Sequence, residues 1–287
     1  MFLGFSAGLA AGCATPKPAA PGRVRFGVRT PFPTQDLGER VDLLRRLGYD
    51  GIELGREFLN VPVENIQARL AGKGIAVSAI VGSIALLAPK PEDRKAGIEL
   101  TRRRLDMARA LGAAGVIEVP TFGPCKFPEV AALPEPHEHE DKLLVDALAQ
   151  LAPDTSRTGM PILLEPLTRK ETHYMNLQAH GARIIQAVGA GRVRLLSDFY
   201  HMQMEEADIR RTLAEHGRHT AYVHLADGEA RTRPGSLPFD YRPGFRSLKE
   251  HGFAGWLTME FRLPPGEKAE SVLASGLEYI RKQWEEA

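Results

Sequence analysis

From Arg23 onward the chain repeats one pattern: a short apolar, β-branched run, a polar or glycine-bearing loop, then a stretch of helical periodicity. The runs fall at 24–30 (VRFGVRT), 49–55 (YDGIELG), 75–82 (IAVSAIVG), 115–120 (GVIEVP), 161–167 (PILLEPL), 193–199 (VRLLSDF), 221–227 (AYVHLAD) and 255–261 (GWLTMEF). The helical stretches between them are 36–47, 63–71, 91–111, a helix ending near 158, 177–188, 204–216, 242–251 and 266–284. Strands that alternate with helices of 10–20 residues form βαβ units, whose strands lie parallel and are buried on both faces. Eight such units without a linker predict a single closed (β/α)8 barrel, of the α/β class, rather than an open sheet. At 287 residues the chain is long enough for one such barrel, which takes about 250. The expected division is residues 1–22 as a targeting and tether segment and 23–287 as the barrel domain.

A barrel gathers the C-terminal ends of its strands on one face, and chemistry is built there. Four metal-compatible side chains stand at such ends: Glu165, Asp198, His224 and Glu260. One carboxylate at a strand end is ordinarily a helix cap or a loop ion pair. Four compatible donors on strands five to eight instead suggest one ion held by oxygen and nitrogen, with Mn²⁺ favoured and Mg²⁺ or Co²⁺ also suited. Sulfur is missing from the set, which argues against a structural zinc site there. The other strand-end acids, Glu53 and Glu118, are expected to orient neighbouring groups or to pair with arginines.

Less is expected of the remaining candidates. His173 either reaches the mouth or bonds backbone in its loop. His137 and His139, in PEPHEHE, resemble a metal-binding tract but open a helix among acids, where a solvated helix start is expected. Cys125 has no evident base beside it and reads as inert. Phe32, Phe122, Phe127 and Phe239 fall in loops that line the mouth or simply pack there. The net charge of +1, from 37 basic and 36 acidic residues, gives no footprint for nucleic acid or another polyanion. Two cysteines, Cys13 and Cys125, make no disulfide framework.

Glu165-Pro166-Leu167-Thr168-Arg169-Lys170-Glu171-Thr172-His173 resembles the E-P-L-x-x-x-E-T signature of ketose 3-epimerases of the D-tagatose or D-psicose type, within the xylose-isomerase-like sugar isomerase/epimerase barrels. The resemblance continues through Ser197-Asp198-Phe199-Tyr200-His201-Met202, His224-Leu225-Ala226-Asp227 and Met259-Glu260-Phe261, and spans roughly residues 24–284. It implies that Glu165, Asp198, His224 and Glu260 hold a divalent ion, and that Glu165 and Glu260 double as an acid/base pair. It further implies that Glu171, His201 and an arginine after the histidine strand contact the sugar. Arg231 is nearer the family spacing than Arg233. The implied reaction moves a proton on the carbon beside a carbonyl through an enediolate, which a Lewis acid stabilises. A homo-oligomer is also implied. The loop 227–244 departs most from the family pattern, and the substrate is expected to be chosen there.

At the N-terminus a run of uncharged, mostly apolar residues ends in Leu9-Ala10-Ala11-Gly12-Cys13, which resembles a bacterial lipobox. The run is shorter than the about 20 residues that span a bilayer, but it suits a secretory signal. Cys13 would then carry a lipid anchor, and the Pro-rich stretch to Pro21 would be a tether, giving a cell-envelope lipoprotein. The alternative is a disordered extension on a cytoplasmic protein. An envelope location favours a non-phosphorylated sugar, keto-sugar or oxidised glycoside as substrate. Two competing functions share these residues: a lyase, dehydratase or hydratase on 3-keto-sugars or glycosides, and a non-catalytic sugar-binding lipoprotein.

Overall fold

The structure is a computed structural model that describes residues 23–127 and 137–287. The expected lipobox, Cys13 and the Pro-rich tether lie outside the described residues. Eight strands, β1 (Arg25–Thr30), β2 (Gly51–Leu54), β3 (Ala76–Val81), β4 (Val116–Glu118), β5 (Ile162–Leu164), β6 (Val193–Asp198), β7 (Thr220–Leu225) and β8 (Trp256–Glu260), pair in chain order and close into one barrel. Every pairing is parallel, including the closing β1–β8 pair, where Phe26 faces Leu257 and Val28 faces Met259. The predicted (β/α)8 barrel is therefore the observed fold.

Nine helices surround the barrel among the described residues: α1 (Leu37–Leu47), α2 (Val63–Leu70), α3 (Pro91–Leu111), α4 (His137–Thr158), α5 (Gln178–Val188), α6 (Phe199–Glu205), α7 (Ile209–His216), α8 (Arg242–Glu250) and α9 (Ala269–Glu285). Their ends follow local chemistry. The Asp36 carboxylate accepts from the Glu39 amide at 2.9 Å to start α1, and Pro91 opens α3 where no amide donor is needed. Gly112, with φ of 67°, ends α3 in the left-handed conformation that closes helices. One boundary differs from expectation. In place of one helix over 204–216, two are found over 199–205 and 209–216, because α6 begins directly after β6, where Asp198 accepts from the Tyr200 amide at 2.8 Å. Asp208 then caps α7 by accepting from the Arg211 amide at 3.0 Å. None of the described helices is long and apolar enough to cross a membrane.

Side chains on alternating strand positions make two cores. Ala79, Ile117, Leu163, Leu196, Tyr222 and Trp256 fill the barrel interior. A larger apolar layer, including Val28, Ile52, Val77, Val116, Ile162, Leu195, Val223 and Leu257, packs between the strands and the helices. Trp256 requires a glycine beside it: a Cβ on Gly51 would lie 2.4 Å from the indole ring. Above it, the buried Tyr222 hydroxyl bonds Ser78 Oγ and Thr258 Oγ1, each at 2.7 Å, and donates to Glu53 Oε2 at 3.1 Å. A buried phenol needs such partners. Here they carry the polar network from the barrel floor up to its mouth.

Candidate active site

Strands five to eight bring Glu165, Asp198, His224 and Glu260 together at the C-terminal mouth. One donor atom from each lies within 4.8 Å of the other three. Asp198 and Glu260 close β6 and β8, His224 lies in β7, and Glu165 follows the last residue of β5. Pro161 and Pro166 bracket β5 and hold it to three residues, since neither can donate to a ladder. Asp198 is fully buried, and Glu165 and His224 nearly so.

His224 is held from behind. Its Nε2 donates to Glu53 Oε2 at 2.7 Å, and its Nδ1 faces Glu260 Oε2 at 2.9 Å and Glu165 Oε1 at 3.3 Å. An imidazole that gives one N–H to a carboxylate offers its other nitrogen to a cation, with its tautomer and orientation fixed. Three carboxylates and one imidazole nitrogen converge on one point, where Arg231 offsets part of the negative charge. This O/N donor set, braced by Glu53, fits a divalent cation of the Mn²⁺, Mg²⁺ or Co²⁺ kind.

The electrostatics of the cluster are uneven. Burial lowers the basicity of His224, but Glu53 and Glu260 outweigh it and raise the imidazole well above the ordinary histidine range. Burial also opposes ionisation of Glu260, yet Arg231 and His224 hold that carboxyl far below its ordinary value. Glu165 moves the other way, raised by burial and by the nearby Glu260 and Asp198 despite its bond to His224. Two carboxyl groups in one site thus sit in opposed environments.

The other expected residues are also at the mouth. Arg231 donates from Nη2 to Glu260 Oε2 at 2.7 Å and to Asp198 Oδ2 at 2.9 Å, and its guanidinium lies 4.5 Å over the Tyr200 ring. It adopts a φ of 52°, in the left-handed region, which turns its side chain inward. Arg233 bonds the Pro234 carbonyl and runs past Gly276 on α9, so Arg231 is the arginine that reaches the cluster. His201 Nδ1 accepts from the Thr168 amide at 3.0 Å, which leaves the proton on Nε2, 3.5 Å from Asp198 Oδ2. The Glu171 carboxylate is 3.9 Å from Arg231 and half-exposed.

Residues 41–283 match the family described as the xylose isomerase-like TIM barrel. The chain belongs to that family. It is 27% identical over 244 residues to the 3-dehydro-D-guloside 4-epimerase of Escherichia coli, covering 84% of this chain and 92% of that one. It is 25% identical over 233 residues to the ketose 3-epimerase of Arthrobacter globiformis, covering 80% and 78%. Among solved structures, the E. coli 3-keto-D-glucoside 4-epimerase superposes with a TM-score of 0.80 and 25% identity, covering 91% of this chain and all of the other. These relatives place the chain among the sugar isomerases and epimerases of the xylose isomerase-like family.

Strand-end reading for acids and histidines alone missed two residues of the mouth. Arg29, near the end of β1, has Nε 3.3 Å from Glu53 Oε1 and Nη1 3.8 Å from Glu57. Tyr200 supplies the ring beneath Arg231. A search of strand ends for cations would have found Arg29, in VRFGVRT. Glu53 orients a neighbouring group and pairs with an arginine, both as expected. Glu118 departs from the arginine alternative: its side chain turns to the outside of the barrel, where Oε1 takes the Ser83 amide at 3.0 Å and bonds Thr101. The loop aromatics pack locally: Arg40 lies over Phe32 and Arg56 over Phe122, while Phe127 meets His139 and Phe239 meets Phe199 and Tyr241.

Proposed function

We propose that this protein is a divalent-metal-dependent epimerase or isomerase of a non-phosphorylated sugar or keto-sugar, with a 3-keto-glycoside the favoured substrate. The observation that carries this reading is the pair Glu165 and Glu260, set three strands apart around the ring of eight with His224 between them. Two carboxylates approaching one carbon from different sides can take a proton from one face and return it to the other. A cation held by Glu165, Asp198, His224 and Glu260 would supply Lewis-acid stabilisation of the enediolate left when that proton departs. His201 Nε2–H, Arg231 and Glu171 stand where they can bond sugar oxygens and fix which carbon faces the carboxylates.

Charge supports a neutral substrate. Arg29 and Arg231 are both already paired with carboxylates, so a phosphate group at the mouth would meet Glu53, Glu171 and Glu260 with little compensation. The keto-glycoside preference draws on the relatives named for 3-dehydro-D-guloside and 3-keto-D-glucoside, in which the C4 proton lies next to the C3 ketone.

The test is stereochemical. Metal-stripped enzyme with Mn²⁺ restored is incubated with 3-keto-glucosides and with free ketoses in D₂O. The expected product is an epimer carrying solvent deuterium at the inverted carbon. Release of the aglycone with no epimer would replace this reading by the lyase reading, and turnover unaffected by chelator would reject the metal. Glu165→Gln should abolish turnover while keeping the melting temperature within a few degrees; an active variant would remove the role given to Glu165. We further propose that Cys13 is lipidated and fixes the enzyme at the cell envelope. Cys13→Ala protein that still partitions with membranes would exclude this.

A further inference from the structure

A second cluster of metal-type side chains lies outside the sugar site, at the junction of the loops after β4 and β5 with the start of α4. Donor atoms of Cys125, Glu140 and His173 all lie within 4.8 Å of one another. His173 Nδ1 and its own backbone amide both bond the Gly123 carbonyl at 3.0 Å. A carbonyl only accepts, so Nδ1 carries the ring proton and Nε2 is the free nitrogen. That Nε2 sits 2.8 Å from both oxygens of the fully buried Glu140 carboxylate. A lone pair held this close to two carboxylate oxygens needs a proton, on either group, or a metal ion between them.

The surroundings favour the metal. His137, one helical turn before Glu140, has a buried Nδ1 with no hydrogen-bond partner among the described residues, 3.6 Å from Glu140 Oε2. Its ring stacks on that of His173 with centroids 6.0 Å apart. The neighbouring Asp141 is turned away from this cluster, engaged by the Tyr174 hydroxyl at 2.6 Å and by His180 at 2.7 Å. Among the described residues the Cys125 thiol bonds only the Phe127 carbonyl, at 3.8 Å. Three segments of chain therefore bring one thiol, one imidazole and one carboxylate to a common point, with the His137 ring beside Glu140.

We propose that Cys125, His137, Glu140 and His173 form a second cation site, selective for Zn²⁺. Sulfur with imidazole and one carboxylate is a four-coordinate zinc set, whereas the O/N set at the barrel mouth suits harder ions. Binding would displace the Cys125 thiol proton to solvent. The ion would clip the start of α4 to the loop that carries Glu171, because the Gly123 amide donates to the Glu171 carbonyl at 2.7 Å. The site would thus brace one wall of the sugar pocket without touching the substrate.

Sulfur makes the test independent of the sugar site. Full-length protein is stripped with chelator and titrated with Co²⁺ followed by optical absorption, and its zinc content is measured after dialysis against Zn²⁺. The expected result is a near-ultraviolet thiolate-to-cobalt charge-transfer band, which the O/N donors at the mouth cannot produce. Cys125→Ser should lose that band, keep the weaker cobalt absorption of the mouth, and hold one zinc fewer per chain. Wild-type protein without the band would overturn the proposal and leave His173 and Glu140 as a proton-mediated ion pair, and this reading needs no variant to fold. The same band in Cys125→Ser, which would assign it to Cys13, or equal zinc in the two proteins, would overturn it as well.

Discussion

Glu118 should make the stability of this barrel fall with rising pH. The side chain is fully buried between β4 and α3; its Oε1 is bonded to Thr101 and Ser83, while Oε2 has no partner among the described residues. Burial pushes the carboxyl from an ordinary 4.5 up to about 8, against the smaller opposing effect of those bonds. The sign follows from proton counting. Below pH 4.5 the carboxyl is neutral in both folded and unfolded chains and costs nothing through ionisation. Between pH 4.5 and about 8 the unfolded chain releases the proton and the folded chain keeps it, so stability drops as pH rises and levels off above that window. The slope is about 1.4 kcal/mol per pH unit, so a window of about 3.5 units amounts to about 5 kcal/mol. Glu118→Gln keeps the shape and an acceptor for the Ser83 amide but cannot ionise. Urea unfolding of both proteins at pH 5, 6, 7 and 8 isolates the effect, because any fixed cost of the amide is independent of pH. The stability of the variant relative to wild type should climb by several kcal/mol across the series. Parallel curves would refute the burial argument.

Glu53→Ala removes the acceptor that holds His224 Nε2 at 2.7 Å and should weaken Mn²⁺ binding about ten- to a hundredfold by calorimetry, as loss of such outer partners typically does. Unchanged affinity would mean that His224 is oriented by packing alone. Arg231→Lys keeps the charge but loses the fork that spans Asp198 and Glu260, and charge-assisted bonds of this kind are worth about 1.5–3 kcal/mol. It should lower kcat/KM by about ten- to a hundredfold on the best keto-sugar substrate, and steady-state kinetics equal to wild type would discount the fork.

The sequence alone determined the barrel and four members of its mouth, since both are written in local patterns. Apolar runs with helices between them declare parallel strands one at a time, and a residue at the end of such a run must emerge on the same face as its counterparts. What it could not declare was which side of the sheet each strand-end acid takes. Glu53 and Glu118 lie in strands whose described residues are buried throughout, GIEL and VIE, so no alternation of polar and apolar marks an inward face. Barrel closure alone turns Glu53 toward His224, 171 positions away in sequence, and Glu118 outward to Thr101 on α3. Spacing favoured Arg231 over Arg233, but the left-handed turn at Arg231 and its bonds to Asp198 and Glu260 belong to the tertiary structure alone. The partners of His173 came together only when the loops after β4 and β5 met across the Gly123–Thr172 bridge. Local pattern carries the period of each element, whereas contacts among buried charges depend on how the ring closes and how its loops cross.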